Sequence, residues 1–427
     1  MVAPPPPPPE VNAPQLQISS ASSTAIEGDT VQLVWSSKDA TTCEAFGSWS
    51  GSLSLTGQSK IKLATYGHPA FGLRCTGAGG TTETSVMIVS RVAVRNLSYS
   101  NFKEVGVLPS TVPYVAAARA YGDFFEDGSL SLITFKFTTA SAVPFADQKP
   151  GVLEFWTQNA AGTWIKKTPT LTVEAPFCIA ARRAVVADFN GDRKPDAVFA
   201  CTGWDQTPFP GERGIIVLSQ PGGGYVQRFV NSDIAYHHSV TACDLNGDGN
   251  LDLVFVIANG VGRLRVEFGD GHGGFTFAAS HPLSSVIGRL FEVECLDVNE
   301  DGILDVIVGG KEWLPNGATT IFFGTPGGAF TSQVIPPVAN WGMVNDFTVT
   351  GTGSARTLWI NRQLDDSAGN DGRLVQRVNL GTLQSTVVLK DEPPAVWIRW
   401  LVPYSRAGLD YIGSDNKSDL VELLRVP

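Results

Sequence analysis

The chain has 427 residues, 43% hydrophobic and 17% charged, a make-up that belongs to globular proteins and excludes a wholly disordered one. Its formal net charge of −10, with no run of Lys and Arg anywhere, excludes general binding to a nucleic-acid backbone. No apolar stretch approaches the roughly 18 residues that cross a bilayer as a helix; 45 Gly and 27 Pro with abundant Val, Thr and Ser favour short strands joined by turns, so an all-β protein is expected.

Residues 1–14, "MVAPPPPPPEVNAP", form a proline-rich linker. It reads either as a stiff polyproline II spacer between an anchor and an exported domain, with a lipid anchor lying upstream of residue 1, or as a disordered tail. From residue 15 to 96 the segments "TVQLVW", "KIKLAT", "FGLRCT" and "TSVMIVS" alternate between turn-rich stretches, which predicts a β-sandwich. The pair "WSSKDATTCEAFGSWSG" and "LRCTGAGG" resembles the small immunoglobulin-like domains that precede other modules in exported bacterial proteins. By analogy with sandwich domains, Cys43 and Cys75 are expected to form a staple between two sheets, which points to an oxidising compartment. The six cysteines permit three disulfides. Cys178 and Cys201 flank one predicted hairpin and can pair, while Cys243 and Cys295 either pair or stand as buried free thiols.

Residues 97–427 repeat. The stretches "ADFNGDRKPDAVFA", "CDLNGDGNLDLVFV" and "LDVNEDGILDVIV" share one pattern, and six such turns can be counted from Asp123, Asp188, Asp244, Asp297, Thr348 and Val402, at intervals of 65, 56, 53, 51 and 54. Each unit reads as four strands, for example "RAVVADFN", "DAVFACT", "GIIVLSQ" and "YVQRFV", which describes a propeller blade. The sixth unit is one strand short, and Phe102–Leu108 can supply the missing outer strand and close a ring. Six blades are expected, with seven the alternative.

Within each complete turn, oxygen-bearing side chains stand at positions 1, 3, 5 and 9: Asp188, Asn190, Asp192 and Asp196; Asp244, Asn246, Asp248 and Asp252; Asp297, Asn299, Asp301 and Asp305. With a backbone carbonyl at position 7 (Lys194, Asn250, Ile303), this set suits a hard cation taking six to eight oxygens, so about three Ca²⁺ sites are expected. An EF-hand requires Glu at position 12, where Phe199, Phe255 and Val308 stand instead. The loops resemble the FG-GAP or VCBS repeats of integrin-α-like propellers, a resemblance that covers residues 97–427. Three other turns depart from it. Phe125 and Ser131 replace ligands in the first; "TVTGTGSAR" places Thr348, Thr350, Thr352 and Arg356 in the fifth; and Arg406 faces Asp410 in the sixth, where a salt bridge can replace the metal.

If the acidic loops join first and second strands, they share one face of the ring, and the second-to-third-strand loops share the other. Trp204 and Trp313 fall on those opposite loops, His237, Trp341 and Trp397 enter inner strands from the same side, and Arg183 is near. Aromatic rings beside polar groups suit stacking on sugars or anchoring a protein partner. The sequence holds no G-x-S-x-G, H-E-x-x-H or phosphate-binding glycine loop. The expectation is an extracellular, cell-surface or periplasmic binding or adhesion module for a glycan or extracellular protein. A structural component of the cell surface and a polysaccharide-active enzyme are the alternatives.

Overall fold

A computed structural model describes residues 12–91, 93–94, 118–136, 138, 143–159, 163–175, 178–204, 209–230, 233–258, 261–351, 353–365, 372–395, 398–406, 409–416 and 421–425, with backbone alone at 136, 354, 399–400 and from 402 onward. Trp397, the segment Phe102–Leu108 and the proline tract lie outside the described residues. The chain separates into two units, Met1–Ala93 with Phe125–Ser129, and Val94–Phe124 with Leu130–Pro427.

In the first unit, strand Thr30–Lys38 turns Val31, Leu33 and Trp35 inward and its alternate residues outward, the two-residue period of a half-buried strand. It lies between Gln15–Ser20 and Thr56–Lys62; a second sheet runs Gly51–Leu53, Thr42–Gly47, Ala70–Gly77, Gly80–Met87. Trp35 packs against Cys43, Leu73 and Cys75 and satisfies its indole N–H on the Ser54 carbonyl at 2.9 Å. Cys43 and Cys75 are bonded, with S–S 2.03 Å, but not between sheets. They are register partners on adjacent antiparallel strands of one sheet, so the strand pairing itself brings their Cα atoms to 4.1 Å.

Among the described residues, the second unit holds six successive sheets built on antiparallel strands. Their first strands are Arg119–Gly122, Ala181–Ala187, His237–Cys243, Leu290–Leu296, Met343–Thr350 and Ile398–Arg406. Sheets 1, 4 and 5 run in chain order through four strands and sheet 6 through three, while sheet 3 runs through four and adds Ile287–Gly288 beside its third strand Gly262–Gly269. Sheet 2 gains Leu171–Val173, which pairs parallel to its last strand Tyr225–Phe229. The second strands Asp196–Cys201, Asp252–Ile257 and Asp305–Gly310 are buried at every residue. Sheets pack on both of their faces, which is why these strands are unbroken apolar runs rather than alternating ones. Phe199's neighbours Val198 and Ala200 meet Val240, Leu253 and Phe255 between sheets 2 and 3, and Val298, Ile307 and Ile321 meet Val344, Phe347 and Ile360 between sheets 4 and 5.

First strands of non-neighbouring sheets touch. Arg183 of sheet 2 reaches Asp346 of sheet 5 at 2.6 Å, and Asp346 accepts the Leu401 amide of sheet 6 at 2.7 Å. Only a radial arrangement around one axis puts those strands together, so the unit is propeller-like. Two further disulfides brace it. Cys178–Cys201 spans the first hairpin of sheet 2, and Cys243–Cys295 ties the first strand of sheet 3 to that of sheet 4. Among the described residues no helix is long and apolar enough to cross a membrane.

Candidate functional site

The three complete acidic loops join first to second strands and share one geometry. The position-1 carboxylate accepts loop amides: Asp188 from Gly191, Asp192 and Arg193, Asp244 from Gly247, Asp248 and Gly249, and Asp297 from Asp301 and Gly302. The position-3 Asn oxygen accepts the position-5 amide, and the position-5 Asp accepts the position-7 amide of Lys194, Asn250 or Ile303. Positions 4 and 6 take positive φ in every loop, even where Arg193 (62°) and Glu300 (61°) replace glycine. Those two residues cost roughly 1–2 kcal/mol each in that region, so the side-chain bonds hold the turn against local strain.

Position 9 anchors the loop. Asp196, Asp252 and Asp305 are fully buried, and each accepts the position-2 amide (Phe189, Leu245, Val298) at 2.8–2.9 Å and a third-strand amide (Ser219, Gly269, Gly324) at 2.7–3.0 Å. Burial raises all three carboxyls, Asp196 to about 7, and the position-5 carboxylate adds to the rise in each loop. Ser219 Oγ lies 2.8 Å from both Asp192 and Asp196. Two carboxyls pressed together among oxygen donors fit a hard cation that neutralises them. As placed, no group of three or more His, Cys, Asp or Glu among the described residues could hold a metal ion.

The other turns differ from the sequence expectation. In the first, Ser131 Oγ accepts the Phe124 amide and donates to the Gly122 carbonyl, doing the anchoring work of position 9 without a charge. In the fifth, Thr348 and Thr350 lie inside strand Met343–Thr350, which pairs Thr350 with Thr357, so the turn is shorter and starts after Thr350. Arg356 reaches instead into the acidic loop of sheet 4, donating to the Asp297 carbonyl and pairing with Glu300 at 3.2 Å, while Glu300 takes the Gly353 amide. In the sixth, Arg406 pairs with Leu409 and Ser405 with Asp410, a tight hairpin in which Arg406 and Asp410 are not opposed; their side chains lie outside the described residues.

On the axis, Arg183 meets three carboxyls: Asp346 at 2.6 Å, Glu294 at 3.3 Å and Glu292 at 3.4 Å. Ser239 donates to Glu292 and Thr241 to Glu294. One guanidinium cannot balance the buried Glu292 and Asp346 and the half-buried Glu294 together, and desolvation lifts all three carboxyls, Glu292 to about 8, despite Arg183. Between the ordinary carboxyl range and about 8 only the folded chain holds this proton, so stability falls as pH rises through that window. His237, lowered to about 4 by burial, has the opposite sign and costs stability only below its ordinary value of 6.5. From pH 6.5 to 8 the unfolding free energy should therefore fall, by about 1.4 kcal/mol per pH unit for this one proton, and the melting temperature with it. Glu292→Gln should flatten that slope, and an unchanged slope in the variant refutes the assignment.

Of the sequence-predicted ligand residues, Trp204 and Trp313 are half-buried on the second-to-third-strand loops of sheets 2 and 4. Trp204 stacks on Phe145, itself 42% exposed, at 5.9 Å. Lys311 Nζ lies 5.8 Å from the Trp313 ring. Trp341 is only 2% exposed and packs on Leu364 and Leu374; His237 is fully buried, its Nδ1 2.9 Å from the Glu212 carbonyl; Arg183 is held in the axial cluster. These three are interior groups and are out of reach of a ligand. Glu212, raised to about 7 by burial, accepts the Ile179 amide at 2.6 Å and holds the loop that leads into sheet 2. Sequence reasoning missed Phe145, His238, Phe291 and Lys311 on this side. His238 and Phe291 each stand six residues before an acidic loop, a signal an alignment of the repeats carries.

Among solved structures, the chain is similar to the periplasmic gluconolactonase of Pseudomonas aeruginosa, at 12% identity and TM-score 0.47 over 84% of this chain and 92% of that one. It is similar to an ancestral GH74 enzyme at 10% and 0.47, over 93% and 64%, and to the sialidase of Trypanosoma rangeli at 12% and 0.40, over 81% and 55%. Likenesses this distant decide nothing about activity. No curated protein sequence matches the chain. The FG-GAP-like repeat family matches residues 244–308, the span that holds two of the three complete acidic loops.

Proposed function

We propose that the chain is an exported binding module: an immunoglobulin-like sandwich joined to a six-bladed propeller, stiffened by calcium in three loops and presenting a glycan-binding face on the loops opposite them. Three disulfides support export, since such bonds persist in oxidising compartments. The buried Trp35, packed from one sheet onto Leu73, Cys43 and Cys75 of the other, supports the sandwich reading, although the Cys43–Cys75 bond lies within one sheet and not between the two as in antibody domains. In the acidic loops, Asp188, Asp192 and Asp196 with Asn190, and their counterparts in the next two sheets, would hold the ion. Calcium supplies charge neutralisation there and ties first strand to second. The chain's own residues do the rest: the position-9 Asp pins each loop to its third strand, so loop order and sheet order are linked.

The observation that carries the ligand reading is the Trp204–Phe145 pair. A half-buried indole stacked on a phenyl that is 42% exposed offers an apolar platform. A sugar ring presents the matching C–H face. Ions that bind only the folded chain stabilise it, by about 2.7 kcal/mol per site at 100-fold excess over Kd. Chelator should therefore lower the melting temperature, and Asp248→Ala should remove one of three sites in a calcium titration. Trp204→Ala should weaken binding on a glycan array at least tenfold and leave the calcium effect intact. Identical melting with and without chelator would refute calcium; undiminished glycan binding by Trp204→Ala would refute the face.

A further inference from the structure

The fifth turn has no acidic set of its own, and its cation is turned onto a neighbour. Where the complete loops end on a buried Asp, the count along the fifth turn ends on Arg356. The backbone of Arg356 is fixed on both sides, its amide donating to the Gly353 carbonyl at 3.1 Å and its carbonyl accepting the Leu380 amide at 3.0 Å. The side chain crosses to sheet 4, donates to the Asp297 carbonyl and lies 3.2 Å from Glu300. Glu300 also accepts the Gly353 amide at 2.9 Å, so two points of the fifth turn hold positions 1 and 4 of one acidic loop. The Arg356 side chain is 19% exposed, which limits the screening of its charge.

Position 4 is where this loop departs from the other two. Gly191 and Gly247 stand there in the loops at Asp188 and Asp244, so Glu300 gives the loop at Asp297 one acid more than either. Glu300 holds a φ of 61°, with a strain that glycine avoids, at the place where its carboxylate meets Arg356. The contact is not needed for the shape of the loop. Asp297, Asn299 and Asp301 accept the same loop amides as their counterparts at Asp188, Asn190 and Asp192 and at Asp244, Asn246 and Asp248. What Arg356 adds to a loop that already holds its turn is charge.

We propose that Arg356 is a tethered counter-charge for the acidic loop of sheet 4: it offsets the crowded carboxylates while the loop is empty and lowers calcium affinity at that loop alone. This rests on the calcium reading above and adds control of one site by the next sheet. Affinity in oxygen-ligand loops follows their charge. A guanidinium bonded to the loop's own backbone opposes a divalent ion there by a factor of about three to ten. By linkage, the same factor measures how much more Arg356 stabilises the calcium-free chain than the loaded one.

The test is calorimetric calcium titration of the full chain at low salt. Arg356→Gln should raise the affinity of one of the three sites at least threefold, and Glu300→Gln should lower the affinity of the same site. Arg356→Lys keeps the charge and should stay near the wild type, and high salt should shrink both shifts. In an Asp301→Ala background Arg356→Gln should change nothing, which places its effect on this loop. Arg356→Gln should also lower the melting temperature more in chelator than in saturating calcium, a difference that a purely structural strut does not produce. The proposal is overturned if Arg356→Gln leaves all affinities unchanged or lowers one, or if Arg356→Lys behaves as Arg356→Gln does. If the wild type takes up three calcium ions and Arg356→Gln matches it, the calcium reading stands and only the counter-charge fails. If the wild type takes up none, both fail.

Discussion

Arg183→Leu is expected to destabilise the propeller-like unit by about 3–5 kcal/mol at pH 8, because removing one partner of a buried ionic cluster leaves the others uncompensated. The guanidinium is 3% exposed and holds Asp346, Glu292 and Glu294 on two other strands around the axis. The loss should shrink toward pH 5, where the raised carboxyls keep their protons and no longer need a cation. Arg183→Lys should fall between, since a single ammonium cannot reproduce the fork that serves three carboxyls with two nitrogens. Urea unfolding of the three proteins at both pH values measures this, and a loss that is the same at pH 5 and pH 8 would contradict it.

That cluster is also where sequence reasoning ran out. Arg183 and Asp346 stand 163 residues apart, and no local pattern joins them. The strands and the first acidic loops were legible because their signals are local: an oxygen side chain at alternate positions, then an apolar run buried on both faces. The fifth turn was misread for a physical reason. "TVTGTG" keeps oxygens at alternate positions, but alternation is equally the pattern of a strand with one polar face, and the strand runs on to Thr350. Arg356 at the end of that turn looked like a lost ligand and is a strut to the neighbouring loop. Trp341 looked accessible because it precedes an inner strand; its ring fills the gap beside Leu364 and Leu374. The Cys43–Cys75 bond was legible as a pair, but its place within one sheet depended on a register the sequence does not display.

The Cys243–Cys295 bond should contribute about 4 kcal/mol to the same unit, because it closes a loop of 52 residues and so restricts the unfolded chain. Its position makes a second effect follow. Cys243 immediately precedes Asp244, and Cys295 stands two residues before Asp297, so the bond joins the roots of two acidic loops. In Cys243→Ala/Cys295→Ala the two loops lose that shared root, and their calcium affinities should drop together while the loop at Asp188 keeps its own. Calcium titration should then show one site unchanged and two weakened. A parallel double variant, Cys43→Ala/Cys75→Ala, provides the contrast: it should destabilise the amino-terminal unit and leave all three calcium affinities unchanged, since that bond lies within a sheet of the other unit. A Cys243/Cys295 variant that loses less than about 1 kcal/mol in urea unfolding, or that weakens all three sites alike, would show that the bond does not brace these two loops.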